Sequence, residues 1–91
     1  MRRDMNTQIW KFALLVHDEV LVEMPAGAEV LCVQLQNGSP HLWAKVNVKS
    51  KSTARKFYVV GTGHPMPAHA KEYVGTFQLS GGQLVFHVFE G

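Results

Sequence analysis

The sequence contains a single cysteine, no acidic residue between Val30 and Lys71, and no long apolar run. Because Cys32 has no second cysteine to pair with, an internal disulfide is excluded and a reducing setting is favoured. The longest apolar run near the N-terminus is the five-residue FALLV, which is too short for a membrane span or a secretory signal. These absences predict a soluble, cytoplasmic protein.

The charges are distributed unevenly along the chain. Five of the seven acids precede Val30, and the stretch from Val30 to Lys71 holds six bases. A long stretch of one sign creates a positive potential and favours an anionic partner. Alternatively, the bases form a solvated loop whose charge is balanced in space by the acidic N-terminal third.

Alternation of apolar and polar residues dominates the sequence, and no segment has a sustained helical period. Segments predicted as strands are 8–16, 20–24, 30–36, 41–49, 55–61, 73–79 and 83–89. The tripeptide HDE (17–19) reads as a tight hairpin turn, Asn37-Gly38 is a turn signal, and SGG (80–82) joins the last two strands. The pattern predicts an all-β protein, either a small antiparallel sandwich or a partly open barrel of about seven strands.

Length indicates one domain, which we place at 9–91, with 1–8 as a flexible N-terminal extension. A chain of 91 residues has a thin core, so pairing with a second copy is a plausible supplement. The last strand also favours pairing with a second copy, because alternation makes both of its faces largely apolar. We therefore expect a homo-oligomer.

Alternation also predicts which side chains share a face. On the third strand Leu31, Val33 and Leu35 form one set, and on the fourth strand Leu42, Ala44, Val46 and Val48 do. Trp43 then stands on the opposite, polar face beside Lys45. Such a tryptophan can stack on a base, anchor a subunit contact, or lie covered by a loop or the N-terminal arm.

If the fourth and fifth strands pair as a hairpin, Lys56 and Tyr58 share the face of Trp43 and Lys45. Two aromatic rings beside two cations would suit a nucleotide or an acidic protein patch. The candidate partner-binding residues are therefore Trp43, Lys45, Lys49, Lys51, Arg55, Lys56, Tyr58 and His64.

The loop GTGHPMP (61–67) is a stiff exit from the fifth strand, because its prolines cannot join a ladder. It matches no phosphate-loop motif, although a small anion contact at Thr62, Gly63 and His64 is conceivable. The histidines show no zinc-ligand spacing, and no residue stands in a nucleophile context. We therefore predict no metal, no cofactor and no enzymatic activity.

Several short stretches resemble a family of short, uncharacterised proteins encoded in tailed phages and prophages. These are the MP-G step at Met24, Pro25 and Gly27, the Trp43 strand, GTGH at 61–64 and FHVFE at 86–90, within a resemblance that covers about 9–90. The resemblance carries over no catalytic residue. It implies a small accessory protein made in the host cytoplasm during infection.

Such accessory proteins commonly block host functions by binding. The resemblance therefore implies an inhibitor of a host defence process, which sequesters a nucleotide signal or occludes a defence protein such as a CRISPR complex. Two further functions stay open: a nucleic-acid-binding accessory protein that uses the basic stretch 45–56, and a minor structural component of the virion.

Overall fold

The computed structural model describes residues 2–91, which form seven strands in two antiparallel sheets packed as a sandwich. The strands are β1 (Thr7–Ala13), β2 (Glu19–Pro25), β3 (Glu29–Gln36), β4 (Ser39–Asn47), β5 (Ser52–Gly61), β6 (Glu72–Leu79) and β7 (Leu84–Glu90). One sheet has the order β1-β4-β3 and the other β2-β5-β7-β6. The all-β prediction is confirmed, and of its two architectures the sandwich is the one formed.

Two of the predicted hairpins are present. Asn37 (φ 52°) and Gly38 (φ 81°) both have positive φ, as a tight turn between antiparallel strands β3 and β4 requires. The short 3-10 turn Ser80–Gly82 joins β6 to β7. Local turn chemistry was sufficient to predict both connections.

The predicted hairpin between the first two strands is wrong. Strand β1 pairs with β4 and β2 pairs with β5, so the HDE turn lies between strands of different sheets. The Leu14 N–H donates to the Pro40 carbonyl at 3.1 Å, while the Asp18 carbonyl accepts from the Val59 N–H at 3.2 Å. Opposite ends of segment 14–18 are thereby hydrogen-bonded to opposite sheets.

The core lies between the sheets. Leu42, Ala44 and Val46 of β4 are buried in it, as alternation predicts, and Val48 is half-buried. The largest fully buried side chains are Phe57, Met24, Leu42, Val46 and Val88. Along β4 the burial therefore follows the period of two.

Strand β3 departs from its predicted faces. A bulge between Val30 and Cys32 shifts the register against β4, so Val30 packs against the core while Leu31 is exposed. Of the predicted apolar set Leu31, Val33 and Leu35, only Val33 is buried. A bulge adds one residue to one strand, and the alternation of apolar and polar residues cannot predict where this happens.

Both faces of β7 have contacts within one chain. The strand lies between β5 and β6, Val88 is fully buried, and the Phe89 ring packs edge-on against Tyr73 with centroids 5.5 Å apart. Self-association stays a prediction, but the apolar faces of β7 do not require it.

At the N-terminus, β1 begins at Thr7, two residues before the predicted domain boundary. The Asp4 carboxylate accepts hydrogen bonds from the Asn6 N–H at 2.9 Å and the Thr7 hydroxyl at 2.6 Å. Both bonds turn the chain into the strand. Residues 2–91 include no helix with the length and apolar character needed to cross a membrane.

Candidate functional site

The outer face of the three-stranded sheet is centred on Trp43. Trp43 lies between Lys11 of β1 and Cys32 of β3, and its ring is 6.4 Å from that of His41. The side chain is half-buried, and its indole Nε1 is shielded from solvent with no hydrogen-bond partner among residues 2–91. An unpaired buried donor is unfavourable, but because this N–H is shielded, an acceptor from another molecule can reach it only when the side chains that cover it move aside.

A neighbouring side chain contributes to the covering of this face. The Lys11 ammonium donates to the Gln36 side chain on β3, so its aliphatic stem crosses β4. Asn6 lies beside the end of β4, where its carbonyl accepts from the Val48 N–H at 2.8 Å. We name this surface, formed by Ile9, Lys11, Cys32, His41, Trp43 and Lys45, the Trp43 face.

Acids form ion pairs with three bases of the long basic stretch, namely Lys45, Lys56 and Arg55. Lys45 is 3.2 Å from Glu29 and Lys56 is 3.0 Å from Glu19, both acids of the N-terminal third. The hydrogen bond to Glu19 raises the pKa of Lys56. For these two lysines, the structure agrees with the alternative that acids of the N-terminal third compensate the positive charge. Lys49 and Lys51 are exposed and have no ion pair with any residue of the described chain.

The expectation that Lys56 and Tyr58 share the Trp43 face is wrong. Strands β4 and β5 lie in different sheets, so both residues are on the outer face of the four-stranded sheet. Tyr58 is only 5% exposed, and its ring lies so close to Gly91 that a Cβ there would approach Tyr58 Cε2 to 2.7 Å. The predicted cluster of two aromatic rings and two cations does not form within one chain.

Arg55 joins three parts of the fold. Its guanidinium binds the Glu90 carboxylate through Nε at 2.6 Å and Nη2 at 2.9 Å, and Nη1 donates to the Ala28 carbonyl. The hydrogen bond to Glu90 raises the pKa of Arg55, although partial burial opposes it. The adjacent cleft of about 380 Å³ is also lined by Glu29 and Glu72, so acids dominate it. Arg55 is therefore engaged within the chain.

The 61–71 loop lies against the outer face of the four-stranded sheet. Val60 is buried there and lines a cleft of about 270 Å³ together with His64 and Pro65. The Thr62 N–H donates to Val85 and the His64 N–H donates to Gly61, both at 3.1 Å. The N–H groups of Thr62 and His64, two of the three backbone donors proposed for an anion contact, are thus already bonded within the chain. The loop serves mainly to connect β5 to β6.

A chain of side-chain hydrogen bonds on the same sheet was not predicted. His87 Nε2 is 2.7 Å from the Thr62 hydroxyl, and His87 Nδ1 is 3.0 Å from the Thr76 hydroxyl. Thr76 in turn bonds Tyr73. No sequence motif marks these residues, since strand pairing alone brings them together. Within residues 2–91, no three histidine, cysteine or acidic side chains are arranged to hold a metal ion.

The fold and the Trp43 face define a small β-sandwich protein with shallow surface clefts. The chain belongs to the family described as a domain of unknown function (DUF7352), whose model matches residues 5–91. The match thus includes four residues, 5–8, of the predicted N-terminal extension. Neither a curated protein nor a solved structure shows significant similarity to the chain.

Proposed function

We propose that this chain is a phage accessory protein that inhibits a host defence process by binding a defence protein through the Trp43 face. The observation that carries the proposal is the half-buried Trp43 ring with its unpaired indole N–H, central on the outer face of a sheet. Tryptophan is enriched among the residues that dominate protein interfaces. The phage setting is supported by the resemblance at the MP-G, GTGH and FHVFE stretches.

A protein partner suits this face better than a nucleotide does. Nucleotide recognition combines a stacking ring with cations that contact phosphate. On the Trp43 face, Lys45 is already paired with Glu29, and Lys11 donates to Gln36. Exposed Ile9 instead gives the face an apolar component next to Lys45. A mixed surface of this kind is typical of a protein contact.

Nucleic-acid binding through 45–56 has less support from the arrangement of charges. Two of the lysines in this stretch and Arg55 are in ion pairs, which leaves Lys49 and Lys51 for phosphate. Affinity for a nucleic-acid backbone grows with the number of phosphates neutralised. Two lysines on one connection would give weak binding that salt readily abolishes.

The proposal is tested in bacterial strains that each carry one defined defence system, with and without expression of the chain. We expect one system to lose its restriction of a sensitive phage, measured as efficiency of plaquing. In that strain, Trp43→Ala should abolish inhibition, and purified variant should bind the defence protein at least about tenfold more weakly. Trp43→Phe keeps a ring and controls for packing.

A double variant, Lys49→Ala with Lys51→Ala, separates the alternatives. We expect it to inhibit as the natural chain does, because neither lysine lies on the Trp43 face. The proposal is wrong if folded Trp43→Ala inhibits fully. It is also wrong if the purified chain carries a nucleotide, seen as a raised ratio of absorbance at about 260 and 280 nm from a stacked base.

A further inference from the structure

The sandwich is closed on one side and open on the other. Strands β3 and β6 lie next to each other where the two sheets meet, so the remaining edge strands, β1 and β2, share the opposite side. Unpaired edges promote association, and proteins usually protect them with charged side chains, bulges, prolines or inward-pointing charges. Within residues 2–91 neither strand has a bulge, and the one proline in them, Pro25, is the last residue of β2.

We propose that a second copy of this chain closes this side, with β1 of each copy paired to β2 of the other. Segment 14–18 is too short to carry the chain back along a seven-residue strand, so β1 and β2 run in opposite directions. A two-fold axis parallel to the strands places β1 of one copy antiparallel to β2 of the other. The same axis forms both junctions at once and yields two seven-stranded sheets.

The outward-facing side chains select one register for this pairing. When Ile9 stands opposite Leu21 of the second copy, Thr7 stands opposite Glu23 and Lys11 opposite Glu19. The Lys11–Glu19 contact would compete with the bonds that Lys11 makes to Gln36 and Glu19 makes to Lys56 within one chain. Ile9 and Leu21 are 56% and 64% exposed in the single chain, and β1 contains a base and no acid while β2 contains acids and no base. Apolar and opposite-charge pairs directly across strands are stabilising.

Pairing of like edges is less favourable. Two β2 strands paired antiparallel about Leu21 place Glu19 opposite Glu23, and like charges directly opposite are destabilising. Two β1 strands paired about Trp10 place Lys11 opposite Ile9 and supply no carboxylate. Charge complementarity therefore favours the β1–β2 junction.

Trp10 supplies an independent reason for a second copy. It stands opposite the fully buried Ala44 and so points to the core side of β1, yet it is 37% exposed. Strand β2 comes nearest to β4, so β1 extends past the edge of the four-stranded sheet. In the proposed register Trp10 lies opposite Val20 of the second copy, which would cover it and enlarge a thin core.

The junction also brings separated candidate residues to one surface. The outer face of the three-stranded sheet becomes continuous with the four-stranded sheet of the second copy. Trp43 and Lys45 of one chain then share a face with Lys56 of the other, three strand spacings or about 14 Å away. A role for this shared surface in binding a target rests on the proposed function. The dimer itself is measured without any target.

Charge reversal tests the junction. The natural chain should sediment at about twice its 10.2 kDa mass at micromolar concentration. Lys11→Glu alone and Glu19→Lys alone should each raise the dimer dissociation constant at least about tenfold, because each sets two like-charge pairs across the junctions. An equimolar mixture should form a heterodimer, since each of its junctions then has opposite charges. Lys49→Glu is the control and should dimerise normally.

Circular dichroism establishes that each variant is folded before its mass is read. A natural chain that stays monomeric at micromolar concentration would overturn the proposal. A dimer that Glu19→Lys leaves unchanged would also overturn it, because the interface would then not include the Glu19 side of β2. A mixture of the two variants that stays as weak as its components would exclude the register. Protection of β1 amides from hydrogen exchange on dimerisation would support it.

Discussion

Gly75 of β6 lies so close to Val33 of β3 that a Cβ on Gly75 would come within 2.7 Å of Val33 Cγ1 and 3.5 Å of the Val33 backbone nitrogen. This contact is where the two sheets meet on their closed side. Val33 belongs to the core, so it cannot move aside without disturbing its neighbours. Glycine at 75 thus permits the close approach of β3 and β6.

Gly75→Ala should therefore lower the free energy of unfolding. Overpacking a well-filled core typically costs about 1–3 kcal/mol. Thermal unfolding followed by circular dichroism should show a melting temperature lower by several degrees. Gly61→Ala is a matched control, because its Cβ would be 3.4 Å from the exposed His64 ring, an ordinary contact. Equal melting temperatures for the two variants would contradict a close contact at Gly75.

Arg55→Lys should destabilise the chain although it keeps the positive charge. The lysine ammonium cannot reproduce the two bonds to Glu90 together with the bond to the Ala28 carbonyl. Loss of hydrogen bonds to a charged group predicts a decrease of about 1–3 kcal/mol, measured by urea unfolding. Lys51→Arg, on the exposed connection, is the comparison and should unfold at the natural urea concentration. An unchanged midpoint for Arg55→Lys would show that the Glu90 contact contributes little.

The hydrogen bonds around His87 favour the tautomer that carries its proton on Nε2. In that tautomer Tyr73 donates to Thr76, Thr76 donates to Nδ1, Nε2–H donates to Thr62, and Thr62 donates to the Val85 carbonyl. Every donor in this series of hydrogen bonds then has an acceptor within the protein. Nitrogen-15 chemical shifts at neutral pH distinguish the tautomers. Thr62→Val removes the acceptor at Nε2 and should reduce the preference of His87 for the Nε2–H tautomer. A proton found on Nδ1 in the natural chain would show that these hydrogen bonds run in the opposite direction.

The pKa of Asp4 should lie below its ordinary value of 3.8. The hydrogen bond from the Thr7 hydroxyl to this carboxylate has the larger effect and that from the Asn6 N–H the smaller, and both favour the ionised form. The resulting stability is present above the unfolded pKa and is lost as the pH falls through the lower folded pKa. Asp4→Asn should therefore be less stable than the natural chain at neutral pH, and the gap should narrow at acidic pH. Carbon-13 titration of the carboxylate measures the pKa directly, and a value of 3.8 or above would contradict these bonds.

Local patterns in the sequence were enough to predict seven strands and two turns, although the first strand ends at Ala13 and not at the predicted residue 16. Alternation placed Leu42, Ala44 and Val46 in the core and Trp43 on the opposite face of β4. Asn37-Gly38 predicted its hairpin because both residues accept positive φ. These features depend on residues adjacent in the chain, whose preferences the sequence states directly.

Pairing between distant strands was decided by tertiary structure. The HDE segment has the composition of a hairpin turn, yet Leu14 and Asp18 at its two ends bond to different sheets. Choosing β4 rather than β2 as the partner of β1 depends on burying both sheets against each other, which no local window contains. The same choice separates Lys56 and Tyr58 from Trp43.

Charge compensation was likewise a tertiary outcome. The sequence determined that the stretch from Val30 to Lys71 holds only bases and that most acids precede it. Whether those acids lie beside the bases was decided by strand pairing, which places Glu29 opposite Lys45 and Glu19 within reach of Lys56. Electrostatic interaction depends on distance in space, and separation along the chain says little about that distance once strands pair across a sheet.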